Sequence, residues 1–273
     1  MNIVLNLNIR TSNPSLRKAP KPLPASLQTH RNNTNMEEKS KLEIEINDAK
    51  DIENLKNINL DEIEDLSLYF YKPISLRFVK NFKNLKRLLI SGSIKDYTPI
   101  SSCATLKILY ISTSGAIDNL DFIKYLSIKN LTLESFRTKS NNFSIPNLET
   151  IETLNISLVS AIVDLSFLAD FPNLKNLFLF ELQSKVLFDF TKLKKLEVLT
   201  LTNMFHLKNL QELKTIQKLE ELTVHQFYIN RKIKTDVKSE LLKVIPELQN
   251  IKSVKLTINS DTYDKNELIQ FQK

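Results

Sequence analysis

The chain has 273 residues, of which 42% are hydrophobic, 25% charged and 8% aromatic, with a formal net charge of +7. Its two glycines, Gly92 and Gly115, stand 23 residues apart, which excludes Gly-rich phosphate loops and dinucleotide fingerprints. One cysteine excludes an intrachain disulfide framework, one cysteine with three histidines (His30, His206, His225) does not compose a usual Cys/His zinc site, and no apolar run approaches the ~20 residues that span a bilayer. No metal and no cofactor is expected.

The chain opens on a basic, proline-rich stretch. Residues 1–35 hold Arg10, Arg17, Lys18, Lys21 and Arg31 and no acid, so they supply +5 of the charge and the remaining 238 residues supply +2. They also hold Pro14, Pro20, Pro22 and Pro24, four of the nine prolines. Too few apolar residues are present to offset the entropy of ordering, so residues 1–41 read as a disordered basic tail. Three readings of it stay open: a flexible arm, an over-extended start with translation from Met36, and an organelle transit peptide. A secretory signal does not fit, because Ile3–Ile9 is short and broken by asparagines.

From residue 42 the chain repeats itself. The pattern L-x-x-L-x-L, with Ile or Val in place of some leucines, first appears complete as Ile63, Leu66, Leu68. Copies follow at Leu85/Leu88/Ile90, Leu106/Leu109/Ile111, Ile128/Leu131/Leu133 and Ile151/Leu154/Ile156. Leu174/Leu177/Leu179, Leu196/Leu199/Leu201 and Leu219/Leu222/Val224 complete eight copies, at steps of 22, 21, 22, 23, 23, 22 and 23. Ile44/Ile46 before them and Ile251/Val254/Leu256 after a 32-residue step bring the expected strands to ten. The L-x-L core alternates as a strand does. Between cores, apolar residues recur every third position, as in Leu76, Val79, Phe82, Leu85 and Leu88, which suits a tight 3-10 return path.

These residues resemble the leucine-rich repeat family over about 42–258, and the 22-residue spacing is similar to the internalin and phosphatase-regulatory subclass. The resemblance implies an α/β fold: a right-handed solenoid with a concave parallel sheet of about ten strands and irregular or 3-10 convex segments. The family places Asn three residues after the last strand Leu. Here that position reads Tyr71, Ser93, Ser114, Phe136, Val159, Leu182, Met204, Phe227 and Asn259, and only the last fits. The turns must therefore satisfy their backbone groups in another way. The solenoid is expected over 42–258, with a capping helix at about 236–245 begun by Asp236 and ended by Pro246, and a C-terminal cap over 259–273.

With the L-x-L residues inward, the positions between them line the concave face. One column reads Ser67, Leu89, Tyr110, Thr132, Asn155, Phe178, Thr200, Thr223 and Lys255. The next reads Tyr69, Ser91, Ser112, Glu134, Ser157, Phe180, Thr202, His225 and Thr257. Most are small or polar, so the apolar members stand out: Tyr69, Leu89 and Tyr110 with Ile108 of the preceding column in one group, and Phe178 and Phe180 with Val198 of the preceding column in another. Coverage by the tail or the C-terminal helix is one alternative, and a one-residue slip that turns both Phe rings inward is another. His225 falls on the rim of this face, with only Thr202 and Thr257 beside it as nucleophiles. Cys103 falls in an apolar column and reads as a packed thiol.

The expected function is a non-enzymatic scaffold that binds a protein partner on the concave face through Tyr69, Leu89, Tyr110, Phe178, Phe180 and His225. The partner's identity is not encoded in a readable way. No small-molecule substrate and no membrane contact are expected, and the location is read as cytoplasmic. Two rivals are a substrate-recruiting adaptor or effector working with an enzymatic partner, and a nucleic-acid binder using the basic tail.

Overall fold

The structure is a computed structural model that describes residues 41–270 apart from 47–48, 139–142, 147, 160, 205–206 and 228–236. The basic tail, His206 and Asp236 lie outside the described residues.

Among the described residues, ten parallel strands of one sheet run in sequence order. They are β1 (Lys41–Ile46), β2 (Asp65–Phe70), β4 (Arg87–Ser91), β6 (Ile108–Ser112), β7 (Asn130–Glu134), β8 (Thr153–Ser157), β9 (Asn176–Phe180), β10 (Val198–Thr202), β11 (Glu221–Gln226) and β12 (Ser253–Ile258). An eleventh, β13 (Asp261–Asp264), pairs antiparallel with β12 and closes that end of the open sheet. A two-stranded side sheet, β3 (Ile74–Ser75) with β5 (Ile94–Asp96), was not expected from the sequence. The count of ten parallel strands and the register agree with the sequence pattern. Leu88 pairs with Leu109, Leu109 with Leu131, Leu131 with Leu154, and Leu154 with Leu177.

The leucine pattern forms strands because each inward side chain stacks on its equivalents one strand away. Leu66, Leu88, Leu109, Leu131, Leu154 and Leu177 are fully buried, and burying each stabilises the fold by ~1.5–3 kcal/mol. The return segments wind as short 3-10 turns, among them Arg77–Asn81, Thr98–Ser102, Ser166–Asp170 and Leu210–Thr215. A turn of three residues carries every third side chain inward, and Leu76, Val79, Phe82 and Leu85 are buried accordingly. Several returns begin with the same local bond. The Thr98 and Ser166 backbone N–H groups donate to Asp96 and Asp164 Oδ1 at 2.9 and 2.8 Å, and Thr191 N–H donates to Asp189 Oδ1 at 2.8 Å. The D-x-S/T triplet is the sequence signature of this start.

The ends are closed by short helices. Helix α1 (Ala49–Glu53) runs into a 3-10 turn at Asn54–Asn57 beside β1. Helix α2 (Val237–Val244) fills the long step before β12, buries Val237, Leu241 and Val244, and packs on the return segment Leu210–Thr215. The Ile245–Glu247 3-10 turn, which contains Pro246, follows it. Helix α3 (Lys265–Gln270) starts from a reciprocal capping pair, with Glu267 N–H on Asp264 Oδ1 at 2.9 Å and Asp264 N–H on Glu267 Oε2 at 2.8 Å. Among the described residues, no helix is long and apolar enough to cross a membrane.

The two rims of the sheet are built differently. Just before the strands stand Glu64, Lys86, Lys107, Lys129, Glu152, Lys175, Glu197, Glu220 and Lys252, each joined to the next by a backbone bond of 2.8–2.9 Å. Their side chains pair as well: Lys86 with Glu64 at 2.9 Å, Lys129 and Lys175 both with Glu152 at 2.9 Å, and Lys252 with Glu220 at 2.8 Å. Just after the strands the chain turns through left-handed residues, Ser135, Leu158, Glu181 and Asn203, at φ 50–61°. Gly92 holds the equivalent place at φ 136°. The N–H groups of Gly92, Ser135, Leu158, Glu181 and Asn203 donate to a carbonyl at the end of the next strand at 2.8–3.0 Å. This backbone ladder does the work expected of the missing asparagines. The expected asparagine positions hold buried Phe136, Val159, Leu182 and Met204 instead. One asparagine does bridge turns, a residue earlier: Asn203 Nδ2 donates to Glu181 Oε1 at 3.1 Å, and Asn203 Oδ1 accepts from Phe227 N–H at 2.8 Å.

Candidate functional site: the open face of the sheet

The outward side chains of β2 to β12 form three columns. The middle column pairs Ser67 with Leu89, Leu89 with Tyr110, Asn155 with Phe178, Phe178 with Thr200, and Thr223 with Lys255. The third pairs Tyr69 with Ser91, Ser112 with Glu134, Ser157 with Phe180, and Thr202 with His225. Ten parallel strands at ~4.8 Å spacing make this face roughly 43 Å long.

The sequence-derived residues fall into three places on it. Tyr69 on β2 is exposed at 39%, and Leu89 and Tyr110 lie side by side on β4 and β6, each half-buried. Phe178 and Phe180 both point outward from β9 and are half-buried, while the alternating Leu177 and Leu179 are buried inward. The register slip is therefore absent, and α2 lies on the return side at Leu210–Thr215. Three strand spacings, ~14 Å, separate Tyr110 from Phe178, so these are two patches rather than one.

His225, on β11, is two strands beyond Phe180 and stacks on Phe227 with ring centroids 5.7 Å apart. Burial, and then the charge of Lys255, hold its imidazole below the ordinary histidine value. Its Nδ1 is buried with no hydrogen-bond partner. Thr257, opposite it, shares a hydrogen bond with Thr262 at 3.2 Å. A base needs a nucleophile in reach and a group to orient it; among the described residues no hydrogen bond orients His225 through Nδ1. Cys103 is buried away from this face, and burial raises its thiol to about 11. Among the described residues, no group of three or more His, Cys, Asp or Glu side chains could hold a metal ion.

Three features of the face were not singled out from the sequence. Glu134 sits in the third column, yet is 6% exposed, and Tyr110 donates its hydroxyl to Glu134 Oε2. Burial, then the bond to Glu134, raises the Tyr110 phenol above its ordinary value. Leu158 follows β8 at φ 58° with 37% exposure, and its N–H donates to the Phe180 carbonyl at 2.8 Å. A bulky residue in this region of backbone space is an outlier, and this one adds apolar surface beside Phe180. Tyr71, just past β2, is 67% exposed and extends the Tyr69 patch. The signal for Glu134 was present: it is the single acid among the outward positions of five successive strands.

No protein-family model matches the chain, and no curated protein matches it in sequence. Similar solved structures include internalin C2 from Listeria monocytogenes, 19% identical with a TM-score of 0.41, covering 72% of this chain and 82% of that one. An internalin F from the same organism is 14% identical with a TM-score of 0.40, over 79% and 72%. A plant peptide hormone receptor, RGFR1 in complex with RGF2, is 15% identical with a TM-score of 0.42; 80% of this chain covers 38% of the receptor. What fixes the architecture is the chain's own pattern: ten parallel strands stacked in sequence order by a leucine repeat, returning through 3-10 turns, make it a leucine-rich repeat solenoid.

Proposed function

We propose that the chain is a non-enzymatic interaction scaffold that holds a protein partner against the open face of its sheet. Tyr69, Leu89, Tyr110, Phe178, Phe180 and His225 are the contact residues in this reading. The observation that carries it is the pair Phe178 and Phe180, turned outward from β9 between Thr153, Asn155 and Ser157 on one side and Val198, Thr200 and Thr202 on the other. Aromatic anchors amid small polar residues are the usual energetic centre of an interface. The ladder of backbone bonds along both rims holds these side chains in place before contact, so little ordering entropy opposes binding. A face of roughly 43 Å also offers the ~800 Å² that a standard interface takes from each partner. The internalin-like subclass of repeat and a cytoplasmic location belong to the same reading.

The test compares the wild-type chain with a Phe178→Glu/Phe180→Glu double variant, shown folded by circular dichroism, as baits in a cell lysate read by mass spectrometry. A protein captured by the wild type and lost by at least about tenfold in the variant supports the reading. Equal capture by both moves the interface off β9, and unfolding of the variant would make the two rings core residues.

A further inference from the structure

We infer that the open face recognises a basic side chain of its partner, an arginine or lysine seated on Glu134 beside the Phe178/Phe180 patch. This rests on the proposed function above and adds the partner's chemistry to it. The outward positions of β6 to β10 comprise fifteen residues, and Glu134 is the one charged residue among them. Its side chain is more than nine-tenths buried. The hydrogen bond it accepts comes from Tyr110, a neutral donor, and no ion pair to it exists among the described residues. Ser112 and Ser157 flank it, and the Ser157 hydroxyl is spent on Asn155 Oδ1 at 2.8 Å.

A carboxylate in such a place is costly unless a cation meets it. Two carboxylates near the strand starts are matched in place: Asp65 is paired to Arg87 at 2.8 Å, and Glu152 is held by two lysines. Glu134 meets no such cation at the face proposed for contact. Its place beside Tyr110 gives a guanidinium or ammonium an aromatic ring and a carboxylate together. Phe180 stands in the same column two strands on, about 10 Å away. The matching partner segment carries a basic side chain about 10 Å from an apolar one. A nucleic acid is the wrong sign for this carboxylate.

The test is a random peptide library selected in parallel on the full-length wild type, Glu134→Gln and Phe180→Glu. The leading peptide is then synthesised and measured by fluorescence anisotropy, beside a version with citrulline for arginine or acetyl-lysine for lysine. The expected result is enrichment of Arg or Lys on the wild type that disappears on Glu134→Gln. Neutralising the peptide should weaken binding to the wild type by at least about tenfold and to Glu134→Gln by less than about twofold. The neutralised peptide needs no variant, so the test survives a Glu134→Gln chain that fails to fold. Peptides without basic preference that depend on Phe180 would overturn this inference and leave the interaction face standing. Basic peptides bound equally by Glu134→Gln would overturn it as well. Selection indifferent to both variants, or no selection at all, counts against both readings.

Discussion

At the rim where the strands begin, each repeat from Glu64 to Lys252 contributes a charged residue, either a lysine or a glutamate. At the rim where they end, the turn residues are Gly, Ser, Leu, Glu and Asn, and beneath them lie Phe136, Val159, Leu182 and Met204. Both rims carry a continuous run of backbone hydrogen bonds of similar length. The side chains solve different problems. The first rim is straight backbone entering a strand, so only its exposed charges need arranging. The second must reverse the chain, and it does so through left-handed backbone that most residues disfavour. The comparison separates two sources of stability: pairwise electrostatics that solvent weakens, and local backbone geometry that solvent cannot touch.

Substitutions on the turn rim should break this contrast most sharply. A side chain at Gly92 would place its Cβ 2.4 Å from the Phe70 carbonyl oxygen at φ 136°. Gly92→Ala should therefore cost roughly 2–4 kcal/mol, read as a lowered midpoint in urea unfolding. Leu158 tests the same rim from the other side. Leu158→Gly removes the left-handed strain and should raise stability by about 0.5–1 kcal/mol, and a loss larger than that would mean the exposed side chain is held by packing. The charged rim should respond least. Glu152→Gln, between Lys129 and Lys175, should cost about 0.5 kcal/mol, an effect that fades as salt is added.

The charged rim also has a signature in pH. Hydrogen bonds from Lys129 and then Lys175 lower the Glu152 carboxyl to about 2, against 4.5 for the free group. A lowered carboxylate value stabilises the fold above the unfolded value, and that contribution is lost as pH falls toward the folded one. The difference in melting temperature between wild type and Glu152→Gln should thus be constant above pH 5 and close between about 4.5 and 2. A difference that stayed constant down to pH 2 would mean that the Lys–Glu–Lys bridge is not formed in solution.

The strand register could be read from the sequence because each copy repeats one chemical choice. An inward leucine every 21–23 residues leaves a single way to stack, so both outward columns follow. The turn rim could not be read in the same way. Ser135, Leu158, Glu181 and Asn203 share a backbone shape and no side-chain property, because the ladder around them imposes the conformation. Burial on the open face was equally hidden. Ser67, Glu134 and Ser157 read as exposed polar positions, yet are 2%, 6% and 2% exposed. Strands ~4.8 Å apart let a large side chain such as Tyr110 or Phe180 cover a smaller one on the next strand. Alternation reports which face a residue is on, and the neighbours decide how much water it sees.

The antiparallel strand β13 gives the solenoid a direction. One end of the sheet finishes on the parallel edge of β1, and the other folds back on itself at Leu256 and Tyr263. Between them every strand occupies one rung of a ladder whose rungs are equivalent. A duplication or loss of one whole repeat between β7 and β9 would change the separation of Glu134 from Phe180 by one rung, ~4.8 Å, without altering either residue. Spacing and chemistry on this face are therefore separately heritable. Point substitution rewrites what is presented, and the gain or loss of a repeat rewrites how far apart.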